Sequence, residues 1–383
     1  MNVLARYSPL AVAVIVAGGW LGHSRSLADE LPKDTNKIER LTPEQAGKLA
    51  RKPGKVLFLN GLTTLDADTA KVLADFKGRI LSLDGLTTLD ADTGKALAEF
   101  KGDSLGLSGL TTLDADTAKA LKEFKGEYLS LSNLTTLEAD TAKALAEFKG
   151  GYLFIEGLST LDAETAKALA EFTGAILSFN GVTTLDTDTA KALAESKSRL
   201  ISFHGLTTLD AVTAKAIAAI NTWDGQLPKL TTLDAGAARA LAELKGECLS
   251  LDGLTALDAD TAKALAAINK WNGQLPRLTA LDAEAAKALA AIDKWDGQLP
   301  GLTAFESSDS VAIAKALATR KGSLSLPNLK RISPKTLSAL ITKEDVEIPL
   351  IEMLELIPEP DGSATDDFVI PREFAERQKQ KAR

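Results

Sequence analysis

The phrase LTTLDADTAKALAEFKG, with small variations, returns every twenty-four residues along most of this chain. Its first residue falls at Leu62, Leu86, Leu110, Leu134, Leu158, Val182, Leu206, Leu230, Leu254, Leu278 and Leu302. Units this alike cannot each contribute a different wall to one central cavity. Each buries its apolar side chains against the unit before and the unit after. The period therefore implies a stacked array that grows by adding copies, so 383 residues need not divide into two or three ordinary domains.

One unit reads as strand, turn and helix. Leu57 and Leu59 flank Phe58, an alternation that places the leucines inward and Phe58 outward on a short strand. Asn60-Gly61 turns the chain, and Asp66 is placed to cap a helix expected from 67 to 77, with Asp68 adding charge that the helix dipole favours. Gly78 reads as its C-terminal stop. Only Asp68, Lys71 and Asp75 form a polar stripe on that helix, so its other faces must be covered by neighbouring units. Strands stack about 4.8 Å apart and helices about 8–10 Å apart, so the array must bend with its parallel sheet on the concave face and its helices on the convex face. The expected fold is an α/β solenoid of twenty-four-residue strand–turn–helix units.

The framework LxLxxLTxLxxxxAxxLxxF over residues 38–341 resembles a bacterial leucine-rich repeat, most closely the treponemal and surface-antigen type. This chain departs from that type in its fuller alanine-rich helix and in usually lacking a proline after the strand. The resemblance implies a leucine-rich-repeat-like solenoid and a binding or cell-surface role.

The ends differ from the middle. Residues 1–28 read as an export signal: Arg6, an apolar stretch at 9–21 too short for a comfortable span, then Ser26-Leu27-Ala28 before Asp29. Removal of that segment leaves no stable membrane insertion. Residues 29–37 form a linker, 38–341 the solenoid with degenerate terminal units, and 342–383 a C-terminal cap and polar tail. Within that cap, 347–357 is able to pair as a last strand, while 358–367 is turn-rich and expected at the surface. Three units carry the cassettes NTWDGQLPKL, NKWNGQLPRL and DKWDGQLPGL, in which Trp223, Trp271 and Trp295 either fill volume lost with a strand leucine or form an aromatic ligand patch.

Composition narrows the chemistry. The net charge of −8 disfavours a nucleic-acid partner, and the single cysteine, Cys248, precludes an internal disulfide or a multi-thiolate metal site. The recurring Asp-Ala-Asp, as at Asp66 and Asp68, could hold calcium, but no glycine follows for a sharp loop, and helix capping explains the same residues. Near-identical units give no pair of unlike carboxyl environments for glycoside hydrolysis, and no GxSxG elbow accompanies the serines. His204 reads as a surface substitution and Cys248 as a small apolar residue at an inward edge. No catalytic residue, metal site or cofactor is expected.

A recognition site is expected on the outward strand positions. Most of these are bland: Ser82, Gly106, Ser130, Ser178, Ser202 and Ser250. Tyr128, Tyr152, Phe154 and Glu156 break the uniformity and are the candidate ligand-binding residues; the alternative is that the tyrosines merely cover the sheet edge. The sequence thus reads as an exported, non-enzymatic scaffold for a protein or carbohydrate ligand, secreted, periplasmic or at the cell surface. A structural spacer without a ligand and a calcium-dependent surface protein are the competing readings.

Overall fold

The computed structural model describes residues 31–360, 362 and 370–381; the expected signal segment lies outside the described residues. Seven three-residue strands form one parallel sheet in chain order: β1 (Val56–Phe58), β2 (Ile80–Ser82), β3 (Ser104–Gly106), β4 (Tyr128–Ser130), β5 (Tyr152–Phe154), β6 (Ile176–Ser178) and β7 (Leu200–Ser202). The register repeats the sequence period, so Leu57, Leu81, Leu105, Leu129, Leu153, Leu177 and Ile201 stand in one row. All are buried, and each full burial contributes about 1.5–3 kcal/mol before the entropy of ordering is subtracted. The chain is an α/β solenoid in which these strands alternate with helices.

Most of the helices start where a cap residue places them. Asp66 is extended at φ −93° and ψ 161°, and its carboxylate accepts from Thr69 N at 2.8 Å and from the Thr69 hydroxyl at 2.9 Å. The same threonine column also ties units together. Thr165, Thr189 and Thr261 donate their buried hydroxyls to Leu137 O, Leu161 O and Leu233 O, at 3.2, 3.1 and 3.1 Å. Where the Asp-x-x-Thr is complete, as at Asp186–Thr189 and Asp258–Thr261, it is a cap and an inter-unit tie together.

The helices stop earlier than their pattern suggests. The first copy runs Ala67–Leu73 rather than to 77, with Ala74 N donating to Ala70 O and Phe76 N to Leu73 O. Leaving the helix there turns Phe76 inward. Phe76, Phe100, Phe124, Phe148 and Phe172 form a buried stack with centroids 6.2 to 6.4 Å apart. Gly78 is not a left-handed cap, because among the described glycines positive φ occurs only at Gly225, Gly273, Gly297 and Gly362. It makes room: a Cβ there would lie 2.3 Å from the Phe76 ring.

The tryptophan cassettes interrupt the strand column but not the stacking. Trp223 bridges to Ile201 and Trp271 to Leu249, so the chain slips by two residues relative to the period. The indole takes the place of the strand leucine, and Gly225 and Gly273, at φ 71° and 78°, restore the register. Trp223, Trp271 and Trp295 are 2, 4 and 0% exposed. They fill the core and form no aromatic patch.

Beyond the insertion that follows Leu302, Leu324–Ser325 pairs with Val346–Glu347 and Arg331–Ile332 with Glu355–Leu356, in parallel. The helix Arg372–Lys381 buries Phe374 against this end. Glu359, expected at the surface, is buried, with its carboxylate accepting from Lys335 N at 2.9 Å. No described helix is long and apolar enough to cross a membrane.

Candidate functional site on the outer strand face

Strand alternation points the first, third and fifth residues of each strand segment away from the leucine core. Register sets Tyr128 beside Tyr152 and Ser130 beside Phe154. The tyrosine rings stack with centroids 4.3 Å apart at an interplanar angle of 13°, and the Phe154 ring follows at 6.3 Å and 21°. Tyr128 is 38% exposed, whereas Tyr152 and Phe154 are half-buried. Two of the three expected aromatics are therefore less open than their positions suggest, because they cover one another. Burial and the neighbouring Tyr152 hold the Tyr128 phenol above its ordinary range.

Glu156 stands beside this stack in sequence but is engaged with the next unit. Its Oε1 accepts from Ser178 Oγ at 3.0 Å and Asn180 Nδ2 at 3.1 Å. It belongs to a row of polar side chains that stitch successive units. Asn60 Oδ1 accepts from Asp84 N at 3.1 Å, Asp84 Oδ1 from Ser108 N at 2.8 Å, and Asn180 Oδ1 from His204 N at 3.0 Å. This row roofs the serine column. Ser82, Ser178, Ser202 and Ser250 are buried, so the bland outward serines are not the exposed floor that alternation alone implies. Ser82 Oγ, for example, lies 2.6 Å from both Asn60 Oδ1 and Asp84 Oδ2, one of which accepts its proton.

His204 is more than a surface substitution. Its Nε2 lies 2.7 Å from Asp224 Oδ2, while Gln226 N donates to Asp224 Oδ1 at 3.1 Å. Burial, offset in part by these hydrogen bonds, raises the Asp224 carboxyl above the usual carboxylate range. The pair is twenty residues apart, so alignment by period separates it; the slip at Trp223 brings it together. Ser202 donates to Ser178 at 3.3 Å rather than to this imidazole. Cys248 is exposed, not inward as the sequence suggests, because it occupies the outward column of Ile80 and Tyr128.

The first Asp of the Asp-Ala-Asp repeats caps a helix, and Asp116 and Asp260 at the second position pair with lysine. Asp114 accepts from Thr117 N and from its hydroxyl at 2.8 and 3.0 Å, and Asp116 pairs with Lys119 at 2.8 Å. Backbone donation from the threonine is the main cause that lowers the carboxyl pKa at Asp66, Asp90, Asp114, Asp186 and Asp210. Chemically, the outer strand face offers an aromatic ledge and carboxylates in fixed positions, which suits recognition of a ligand.

No protein-family model and no curated protein matches the sequence. Among solved structures the chain is similar to leucine-rich-repeat proteins. An internalin from Listeria monocytogenes is 14% identical, covering 80% of this chain and 88% of that one, with a TM-score of 0.42. A leucine-rich-repeat protein from Leptospira interrogans is 16% identical over 81% of this chain and 98% of its own, at 0.34. The TLR13 chain of a TLR13–ssRNA13 complex is 18% identical over 77% of this chain, which spans 40% of that one, at 0.40.

Proposed function

We propose that this chain is an exported, non-enzymatic binding scaffold that recognises a protein or glycan ligand through its outer strand face, at the cell surface, in the periplasm or outside the cell. Tyr128, Tyr152, Phe154 and Glu156 form the centre of that surface. The observation that carries the reading is the Tyr128–Tyr152 stack at 4.3 Å, an exposed aromatic ledge on an otherwise polar face. Aromatic side chains cost little rotamer entropy to order and supply much contact area, so recognition surfaces favour them. The sequence of residues 1–28, which reads as an export signal, supports the location.

The test is an affinity screen of the purified chain against envelope glycans and secreted proteins, repeated with Tyr152→Ala and Phe154→Ala combined. The reading expects one ligand class whose binding the double variant abolishes while the circular dichroism spectrum and melting temperature stay near those of the parent. A ligand bound equally well by the double variant would move the site elsewhere.

A further inference from the structure

The outer strand face carries more acids than bases. From Val56 to Pro300, the outward positions hold Asp84, Glu156, Asp224, Asp252 and Asp296, and the lysines of the slipped cassettes, Lys270 and Lys294, are tied back to Lys245 O and Gly246 O and to Asn269 O. Lysine and arginine make up 44 of the chain's 383 residues, so a face with two, both held by backbone carbonyls, is short of free cations. The convex side is different. There Asp116 pairs with Lys119, Asp188 with Lys191 and Asp260 with Lys263, at 2.8, 3.1 and 3.2 Å. None of the five strand-face carboxylates forms an ion pair with a lysine or arginine among the described residues. Their partners are neutral groups or His204: Ser108 N for Asp84, Asn180 Nδ2 for Glu156, the His204 ring for Asp224, Asn272 Nδ2 for Asp252 and Gln298 N for Asp296.

The aromatic ledge opens toward this charge. One face of the Tyr128 ring is covered by Tyr152. The other is turned toward the neighbouring strand, where its register partner is Ser104 and the next outward residue is Gly106. The gap there is one strand wide, which leaves the flanking strands β2 and β4 about 10 Å apart. Asp84 lies on its floor, with Oδ1 2.8 Å from where a Cβ on Gly106 would sit. Arg79, the nearby cation at the rim, is already held by Asp103.

We infer that the outer strand face docks a cationic protein segment, with an arginine guanidinium lying on the free face of Tyr128 and directed at Asp84. An aromatic face is electron-rich, and a planar guanidinium can stack on it while its N–H fork reaches a carboxylate, which a compact ammonium does less well. Glu156, Asp252 and Asp296, which form no ion pair with a lysine or arginine among the described residues, extend the attraction to further basic residues and speed encounter. This inference rests on the reading that the face is the recognition surface, and it fixes the chemistry of the partner.

The test uses fluorescently labelled nona-arginine, nona-lysine and nona-glutamate, with chitohexaose as a neutral glycan, against the full chain. Asp84→Asn combined with Glu156→Gln removes charge without disturbing the row, since Asn60 and Asn180 already occupy its other units. Nona-arginine is expected to bind more tightly than nona-lysine. Its affinity should fall roughly tenfold in that double variant and again between about 50 and about 300 mM salt. Tyr128→Leu should remove the preference for arginine over lysine. Asp116→Asn combined with Asp188→Asn, on the convex side, should change nothing. Equal loss from the convex and strand-face variants, or no binding of nona-arginine, would overturn the inference. Chitohexaose binding that depends on Tyr152 and Phe154 would also overturn it, while leaving the face as a recognition surface.

Discussion

The ring of Phe100 occupies the space that a side chain on Gly102 would need. A Cβ on Gly102 would meet Phe100 Cζ at 2.2 Å and Arg79 O at 2.6 Å, and the same contact recurs between Phe124 and Gly126 and between Phe148 and Gly150. The backbone at these glycines is not left-handed, so they are required by the neighbouring ring and not by their own dihedral angles. Gly102→Ala should therefore cost about 1–3 kcal/mol as overpacking, because both the ring stack and the Arg79 carbonyl are fixed. Urea denaturation checks it; a midpoint unchanged from the parent would show that the stack yields.

Thr189 makes the second prediction. Its hydroxyl donates to Leu161 O at 3.1 Å in the preceding unit, and its amide is capped by Asp186 at 2.7 Å. Thr189→Ala removes the tie and keeps the cap, as already happens naturally at Ala237, whose amide is held by Asp234 at 2.7 Å. The loss should be about 1–3 kcal/mol, since Leu161 O stays buried without that donor. A cost no larger than that of an exposed substitution would remove the inter-unit role.

What the sequence revealed follows from where each signal is local. The strand leucines, the Asp66 cap and the twenty-four-residue register are written within one unit, and they appear where the pattern places them. The helix end is not legible locally, because Phe76 and Gly78 look like one more helical turn and a cap. Only the position of the Phe76 ring in the stack explains both. Likewise, the His204–Asp224 pair was hidden by a slip of two residues, for which the Trp-x-Gly spacing of the cassette is the one sequence trace. At the candidate site, register predicted the neighbours Tyr128 and Tyr152, but not that the polar row would bury Ser82 and Ser178.

Acid should weaken the array through its caps. Thr69, Thr93, Thr117, Thr189 and Thr213 hold the carboxyls of Asp66, Asp90, Asp114, Asp186 and Asp210 below their ordinary value. A group depressed on folding contributes stability that is fully present above its unfolded pKa, about 3.9, and is lost as pH falls through the folded value. Stability should hold above about pH 4 and decline below it. Asn also caps helices, so Asp90→Asn with Asp186→Asn should flatten that decline. An identical slope in this variant would place the acid sensitivity elsewhere.

Asp224 should behave in the opposite sense. Burial raises its carboxyl, so its contribution is favourable below the unfolded pKa and is lost as pH rises through the folded value. Asn272 fills the equivalent place in a later cassette, so Asp224→Asn fits. Relative to Asp224→Asn, the parent should lose stability as pH rises from about 3.5 to neutrality. A constant difference across that range would mean that His204 fully compensates the buried charge.

The central claim is that successive units stack into a curved array with the strand face inside. Pulsed electron–electron spin resonance on Cys248→Ser chains tests it most directly, because nitroxides five units apart can be placed on either side. Labels at Ile80→Cys and Leu200→Cys, on the strand side, should lie about 20–25 Å apart. Labels at Lys71→Cys and Lys191→Cys, on the helix side, should lie about 35–50 Å apart. Equal separations on the two sides would contradict the account.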